Sequence, residues 1–120
     1  MTDGPAAAAG EGGMEYAEKR RHERVSVDIH VYWGRSYDCP EQGRVLSVSV
    51  GGCFLRTEEE MPVGAELFIN LWLPDSRPLL GEVRYRLEGY GLGVEFKAVG
   101  PLTAEQLGGM VKYYSQAAPG

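Results

Sequence analysis

Apolar and polar residues alternate along most of the chain beyond position 24. In the stretch 25–33, valine, isoleucine or tryptophan occupies every second position, with polar or tyrosine residues between them. A period of two is typical of a β-strand with one buried face, because successive side chains point to opposite sides. Four further stretches follow the same rule, at positions 44–50, 67–73, 81–87 and 90–96, and residues 53–57 continue as a strand after the glycine pair at 51–52.

The alternation also predicts which side chains face the core. In the second stretch Leu46, Val48 and Val50 share one face, so Ser47 and Ser49 are expected to point outward. The inward sets predicted for the fifth and sixth stretches are Val83, Tyr85 and Leu87, and Leu92, Val94 and Phe96.

Turn-forming residues separate all six stretches, and no helical period lies between them. This order favours an antiparallel sandwich or a small closed barrel over parallel βαβ units. Closure of a barrel would remove the unpaired edges of an open six-stranded sheet.

The C-terminal part has a helical period instead. Thr103 and Gln106 have the spacing of a capping box, with Leu102 and Leu107 as its hydrophobic staple. Two glycines, at 108 and 109, weaken this helix by about 1 kcal/mol each relative to alanine, so it needs to dock on the sheet. The apolar positions of the helical period are Leu107, Met110, Val111 and Tyr114.

Length and charge restrict the class of protein. The chain has 120 residues, which is one domain, and carries 12 Lys and Arg against 17 Asp and Glu, for a net charge of −5. An acidic domain is poorly suited to neutralising the many phosphates of DNA or RNA, so no nucleic-acid partner is expected. We expect a flexible arm at 1–18, one folded domain at 19–116 and a disordered tail at 117–120.

From the sequence we expect neither a leader peptide nor a membrane span. The first 13 residues are rich in alanine and glycine without a basic region, and no apolar run has the length of a membrane span. Cys39 and Cys53 are expected to be free thiols of a cytoplasmic protein. Together with His22 and His30 they match no zinc spacing, so no metal site and no cofactor are expected.

The sequence does not predict an enzyme. Ser47 and Ser49 lie outside any Gly-x-Ser-x-Gly elbow, and the carboxylates show no pairing on one face. The glycine-rich stretch 89–93 leads into a strand and not into a helix N-terminus, so it is not a phosphate loop.

Positive charge is concentrated in one short segment. Four of the 12 basic residues lie within positions 19–24, in the sequence Lys-Arg-Arg-His-Glu-Arg. The planar guanidinium groups of Arg20 and Arg24 suit two-point binding of phosphate or of the O6/N7 edge of guanine. The alternative is a solvated charge cluster at a domain boundary.

The order of these features resembles the PilZ domain family. Arg20-x-x-x-Arg24 precedes a valine-rich strand, and the segments 47–52 (Ser-Val-Ser-Val-Gly-Gly) and 91–96 follow it. The family signature is Arg-x-x-x-Arg followed by Asp/Asn-x-Ser-x-x-Gly. The resemblance covers about residues 19–114, and it implies an all-β fold, a six-stranded antiparallel split barrel with a C-terminal α-helix, which acts as a receptor for cyclic di-GMP.

The resemblance also implies a set of ligand-binding residues. Ser47 departs from the pattern, since the family has Asp or Asn there, and a single hydroxyl cannot make a two-point contact with a guanine edge. We therefore expect weakened binding of cyclic di-GMP. The expected contacts are Arg20, Arg21, Arg24, Ser47, Ser49 and Gly52.

Two functions remain open at this point. In the first, cyclic di-GMP orders the arginine segment over the barrel, and an unidentified effector protein reads the new surface. In the second, the domain has lost the nucleotide site and serves as a protein-interaction module. Neither involves DNA, RNA or insertion into a membrane.

Overall fold

A computed structural model describes residues 23–74 and 77–117. This part of the chain forms six β-strands and one C-terminal α-helix. The strands are β1 (Val25–Gly34), β2 (Glu41–Val48), β3 (Gly52–Arg56), β4 (Glu66–Asn70), β5 (Leu79–Leu87) and β6 (Gly91–Phe96), and the helix is α1 (Pro101–Ala117).

The strands close into a barrel in the order β1-β2-β3-β6-β5-β4. Each strand is antiparallel to both of its neighbours, and β4 closes the barrel by pairing with β1. The predicted six-stranded antiparallel barrel with a C-terminal helix is confirmed, and of the two architectures that the alternation allowed, the barrel is the one formed.

The barrel interior is filled by the apolar residues of the alternating stretches. Trp33 is fully buried, and Leu107 and Val111 of α1 extend the same core, with Met110 and Tyr114 packed beside them. The predicted apolar face of the helix is therefore confirmed. Its packing near β1 gives the helix the tertiary support that its two glycines require.

The predicted start of the helix is wrong. The helix begins at Pro101, and the Ala104 N–H donates a hydrogen bond to the Gly100 carbonyl oxygen at 2.9 Å, which makes Gly100 the N-cap. Proline is favoured at the first helical position because its φ angle is already helical and it lacks an N–H that would go unpaired there. Thr103 thus lies inside the first turn, and Leu102 is 61% exposed, so the capping box and the staple do not form.

Irregularities in two strands overturn part of the predicted facing. A register shift between Val45 and Ser47 places Val45 and Val48 in the core, while Leu46 is only half-buried. An extra residue at a bulge reverses the alternation on one side of it, so a strict period of two predicts the wrong face there.

The same effect occurs in β5. The shift between Val83 and Tyr85 leaves Val83 in the core but turns Tyr85 and Leu87 outward, where they are about half exposed. In β6 the predicted inward set, Leu92, Val94 and Phe96, is confirmed.

Candidate functional site

Arg24 and Ser47, which belong to the two halves of the sequence motif, are in contact. Arg24 lies immediately before β1, and its Nη1 donates a hydrogen bond to Ser47 Oγ at 3.1 Å. The contact follows from the antiparallel pairing of β1 and β2, whose register places Ser26 opposite Ser47. Two residues 23 positions apart in the sequence are thus brought together at one end of the β1–β2 pair.

Arg24 carries charge that this contact does not neutralise. The Ser47 hydroxyl is neutral, whereas other arginines of the barrel surface pair with carboxylates: Arg44 with Asp28, and Arg84 with Glu95. Arg24 is exposed, so its guanidinium remains available to an anion in solvent.

Arg20 and Arg21, the other predicted basic contacts, precede residue 23 and lie outside the described residues. Their part in the site therefore remains a prediction.

Ser49 does not point outward as predicted. It is 3% exposed, and its Oγ accepts hydrogen bonds from the N–H groups of Gly51 and Gly52 at 3.1 and 3.2 Å. Its own N–H donates to the Gly52 carbonyl oxygen at 2.8 Å. Strand β2 ends at Val48, and Ser49 holds the turn that leads into β3.

Gly52 is required by the barrel itself. A Cβ at this position would lie 2.2 Å from the carbonyl oxygen of Val94, since β3 and β6 approach closely here. The β6 backbone therefore occupies the space that a side chain at position 52 would need, and whether Gly52 also contacts a ligand remains a prediction.

An aromatic cluster continues from Ser47 across the outer surface. The register pairs Ser47 with Phe54, Phe54 with Gly93, and Gly93 with Tyr85, so these positions form one row on the outside of the barrel. The Phe54 ring stacks with Tyr85 at a centroid distance of 6.3 Å and is tilted against Tyr90 at 5.7 Å.

Glycines make this cluster possible. A Cβ at Gly93 would lie 2.1 Å from the Tyr85 ring, and one at Gly91 would lie 2.6 Å from the Phe54 ring. The rings occupy the space that side chains would otherwise fill, and Phe54 is 8% exposed although it lies on the outer face. The sequence reasoning missed this cluster; the available signal was the pair of outward-facing glycines in β6.

Cys53 is buried beneath the site, and its thiol is unreactive. The side chain is 2% exposed, and burial raises the pKa of its thiol to about 12, although the nearby Arg24 guanidinium acts in the opposite direction. A thiol that stays protonated is neither a nucleophile nor a metal ligand at neutral pH. Cys39 is also a free, buried thiol.

No group of three or more His, Cys, Asp or Glu side chains is placed to hold a metal ion in residues 23–74 and 77–117.

A cleft of about 210 Å³ lies away from Arg24, between Phe68, Leu79, Lys97 and the start of α1. Lys97 is paired there with Glu82 at 3.1 Å. Neither Arg24 nor Ser47 lines this cleft, so the Arg24–Ser47 site lies outside it. Within the described part of the chain, no helix combines the length and the apolar character needed to cross a bilayer.

The family model for the PilZ domain matches residues 18–113, which is most of the chain. The protein belongs to the PilZ domain family. A search of curated proteins found no match.

Solved structures with the same fold include three structures from two PilZ-containing proteins, YcgR and CeSA. The complex of Escherichia coli YcgR with c-di-GMP is 18% identical, with a TM-score of 0.63, and the alignment covers 82% of this chain and 46% of YcgR. The isolated PilZ domain of YcgR with c-di-GMP is 16% identical, with a TM-score of 0.60 and coverage of 82% and 92%. The PilZ domain of CeSA, from a cellulose-synthesizing bacterium, is 14% identical, with a TM-score of 0.60 and coverage of 78% and 98%. The chain thus spans about half the length of YcgR and nearly all of the isolated PilZ domains.

Proposed function

We propose that this PilZ domain is a receptor for cyclic di-GMP and not an enzyme. The observation that carries the proposal is the Arg24–Ser47 contact, which joins the two halves of the family motif on one exposed surface. Membership of the family and the presence of c-di-GMP in the related YcgR structures support the choice of ligand.

Each residue has a defined part in this proposal. Arg24 binds a phosphate or the guanine edge with the guanidinium charge that Ser47 leaves uncompensated. Arg20 and Arg21 supply the remaining positive charge from the preceding segment. Ser49 and Gly52 act through the turn and the β3–β6 contact and hold Ser47 in place.

The aromatic cluster suits the other part of the ligand. A dinucleotide with guanine bases offers flat apolar faces, and the exposed rings of Tyr85 and Tyr90 pack on Phe54, one strand away from Ser47. An open charged surface bordered by aromatic rings accommodates phosphates and bases together.

On binding, the segment that carries Arg20 and Arg21 becomes ordered against the barrel, and an effector protein reads the combined surface. In this proposal the domain works in the cytoplasm and needs no cofactor.

Isothermal titration calorimetry with cyclic di-GMP tests the site. We expect Arg20→Ala and Arg24→Ala to weaken binding at least about tenfold, since a hydrogen bond to a charged group contributes about 1.5–3 kcal/mol. Arg35→Ala is the matched control, because Arg35 lies beyond the other end of β1 and its Nη2 donates to the Glu60 carbonyl oxygen. Binding that is unchanged in both site variants would overturn the assignment.

Ser47 supports a second candidate, a PilZ domain that no longer binds the nucleotide and serves as an interaction module. Its hydroxyl already accepts a hydrogen bond from Arg24 and lacks the second contact point of an Asp or Asn. If the wild type shows no heat up to high micromolar cyclic di-GMP while Ser47→Asp binds it, this second function is the correct one.

A further inference from the structure

Glu23, the first described residue, is hydrogen-bonded to Ser115 near the C-terminal end of α1. Ser115 Oγ donates a hydrogen bond to Glu23 Oε2 at 3.1 Å, across a separation of 92 residues. Glu23 directly precedes Arg24, so this bond holds the backbone from which Arg24 reaches Ser47.

The same bond determines where a negative charge lies. Glu23 falls between the two motif arginines in the sequence, and a carboxylate free to turn toward them would compete with a phosphate ligand for their charge. The contact with Ser115 directs the carboxylate toward the helix instead.

The last turn of α1, beyond the buried Leu107 and Val111, is a weakly stabilised partner for this contact. Gly108 and Gly109 lower the intrinsic stability of the helix, and its last turn contains no basic residue that would favour the helix dipole or the Glu23 carboxylate. A single hydrogen bond between two exposed side chains is weak enough to be made or lost with small changes in the segment before β1.

We propose that Glu23 is a positioning residue for the ligand site, and that its bond to Ser115 links occupancy of that site to the end of α1. This inference rests on the proposed binding of cyclic di-GMP. It goes beyond that binding in assigning a role to the C-terminal helix: by reciprocity, if the bond strengthens binding, ligand binding strengthens the bond and orders the last turn.

Calorimetry with cyclic di-GMP on Ser115 variants tests the positioning role. We expect Ser115→Ala to weaken binding by about two- to fivefold, because the donor is lost and the carboxylate is released. Ser115→Thr keeps a hydroxyl and should restore binding to nearly the wild-type value. Gln116→Ala, a neighbouring exposed position on the helix, is the matched control.

The variant Glu23→Gln removes the negative charge and keeps a hydrogen-bond acceptor for Ser115. The amide oxygen still accepts from Ser115, so this variant should bind at least as tightly as the wild type. In its background Ser115→Ala should have a smaller effect than in the wild type, since no carboxylate is released.

Hydrogen exchange gives a readout that a purely structural role would not move. Cyclic di-GMP should slow the exchange of amides 113–117 in the wild type but not in Ser115→Ala. If the wild type binds the ligand, while Ser115→Ala binds equally well and the helix amides do not respond, the positioning role is wrong and the receptor function stands. If the wild type binds no ligand, the receptor function and this inference both fail.

Discussion

A side chain at position 52 has no space in this barrel. The carbonyl oxygen of Val94 lies 2.2 Å from the place where a Cβ would be, and both strands are held by pairing along their length. The obstacle is backbone, which cannot rotate away as the end of a flexible side chain can. Gly52 and Ser49 therefore shape the site by fixing the β2–β3 turn, whereas Arg24 and Ser47 present polar groups to solvent.

We predict that Gly52→Ala lowers the free energy of unfolding by about 3 kcal/mol or more, since β3 and β6 must separate to admit the methyl group. Urea unfolding measures this change. Gly109→Ala is the control and should lose no stability, because a Cβ there meets no atom within 4 Å. If Gly52→Ala likewise loses no stability, the geometry at this strand pair is contradicted.

The buried thiol of Cys53 predicts a dependence of stability on alkaline pH. Its pKa is raised from an ordinary value near 9 to about 12 in the folded state, so between these values the unfolded chain has lost a proton that the folded chain keeps. Stability therefore falls as pH rises through this window, by roughly 2 kcal/mol at pH 10.5 relative to pH 7. Burial also raises the pKa of the Cys39 thiol, which both proteins contain, so urea unfolding at both pH values should show a loss that is larger in the wild type than in Cys53→Ala by this amount; equal losses would assign it to other groups.

At the scale of elements, α1 depends on the barrel more than on its own sequence. Leu107 and Val111 are buried against the core, while two adjacent glycines occupy the middle of the helix. Glycine in a helix costs backbone entropy, which the docked apolar face offsets. Strands β2 and β5 show a comparable influence of their neighbours, because each contains a bulge that changes which residues face inward.

Gly108→Ala and Gly109→Ala should each stabilise the protein by about 0.5–1 kcal/mol. A Cβ at either position meets no atom within 4 Å and neither φ angle is positive, so no packing cost opposes the gain in helix propensity. Thermal unfolding should show a higher midpoint for both single variants. A lower midpoint would mean that the helix does not keep this conformation in solution.

At the scale of the whole molecule, closure of the sheet combines six short strands into one core. The closing seam is short: β1 and β4 are paired through Tyr32–Asn70, Trp33–Ile69 and Gly34–Phe68. Strand β6, by contrast, is paired with β3 and β5 along nearly its whole length. Strand β4 therefore has the weakest pairing in the barrel.

We expect the amides of β4 to exchange with solvent at lower free energies than those of β6. Local opening needs fewer hydrogen bonds to break where pairing is short. Native-state hydrogen exchange under conditions of rapid reclosing measures both. Equal free energies for the two strands would show that the barrel opens only as a unit.

At the scale of the whole molecule, the net charge and the local charge at the site differ in sign. The chain has a net charge of −5, yet Arg24 is exposed and pairs with no carboxylate of residues 23–74 and 77–117. A compact ligand with two phosphates depends on such local charge and not on the overall balance.

Much of this protein follows from its sequence. The period of two predicted all strands except β3 and most of the core, because alternation needs only the direction of successive side chains in an extended chain. The helical period of 107–114 determined the buried face of α1 in the same way. The motif predicted Arg24 and Ser47 as members of one site, and strand pairing brings them into contact.

Contacts between distant strands decided the rest. The bulges at 45–47 and 83–85, the burial of Ser49 and the space around Gly52 depend on which backbone lies alongside, and local periodicity does not contain that information. The cluster of Phe54, Tyr85 and Tyr90 and the bond between Glu23 and Ser115 arise in the same way. The sequence by itself determined which residues are apolar, charged or, as glycines, conformationally free. The closed barrel decided which of them are in contact, because those contacts join residues far apart in the chain.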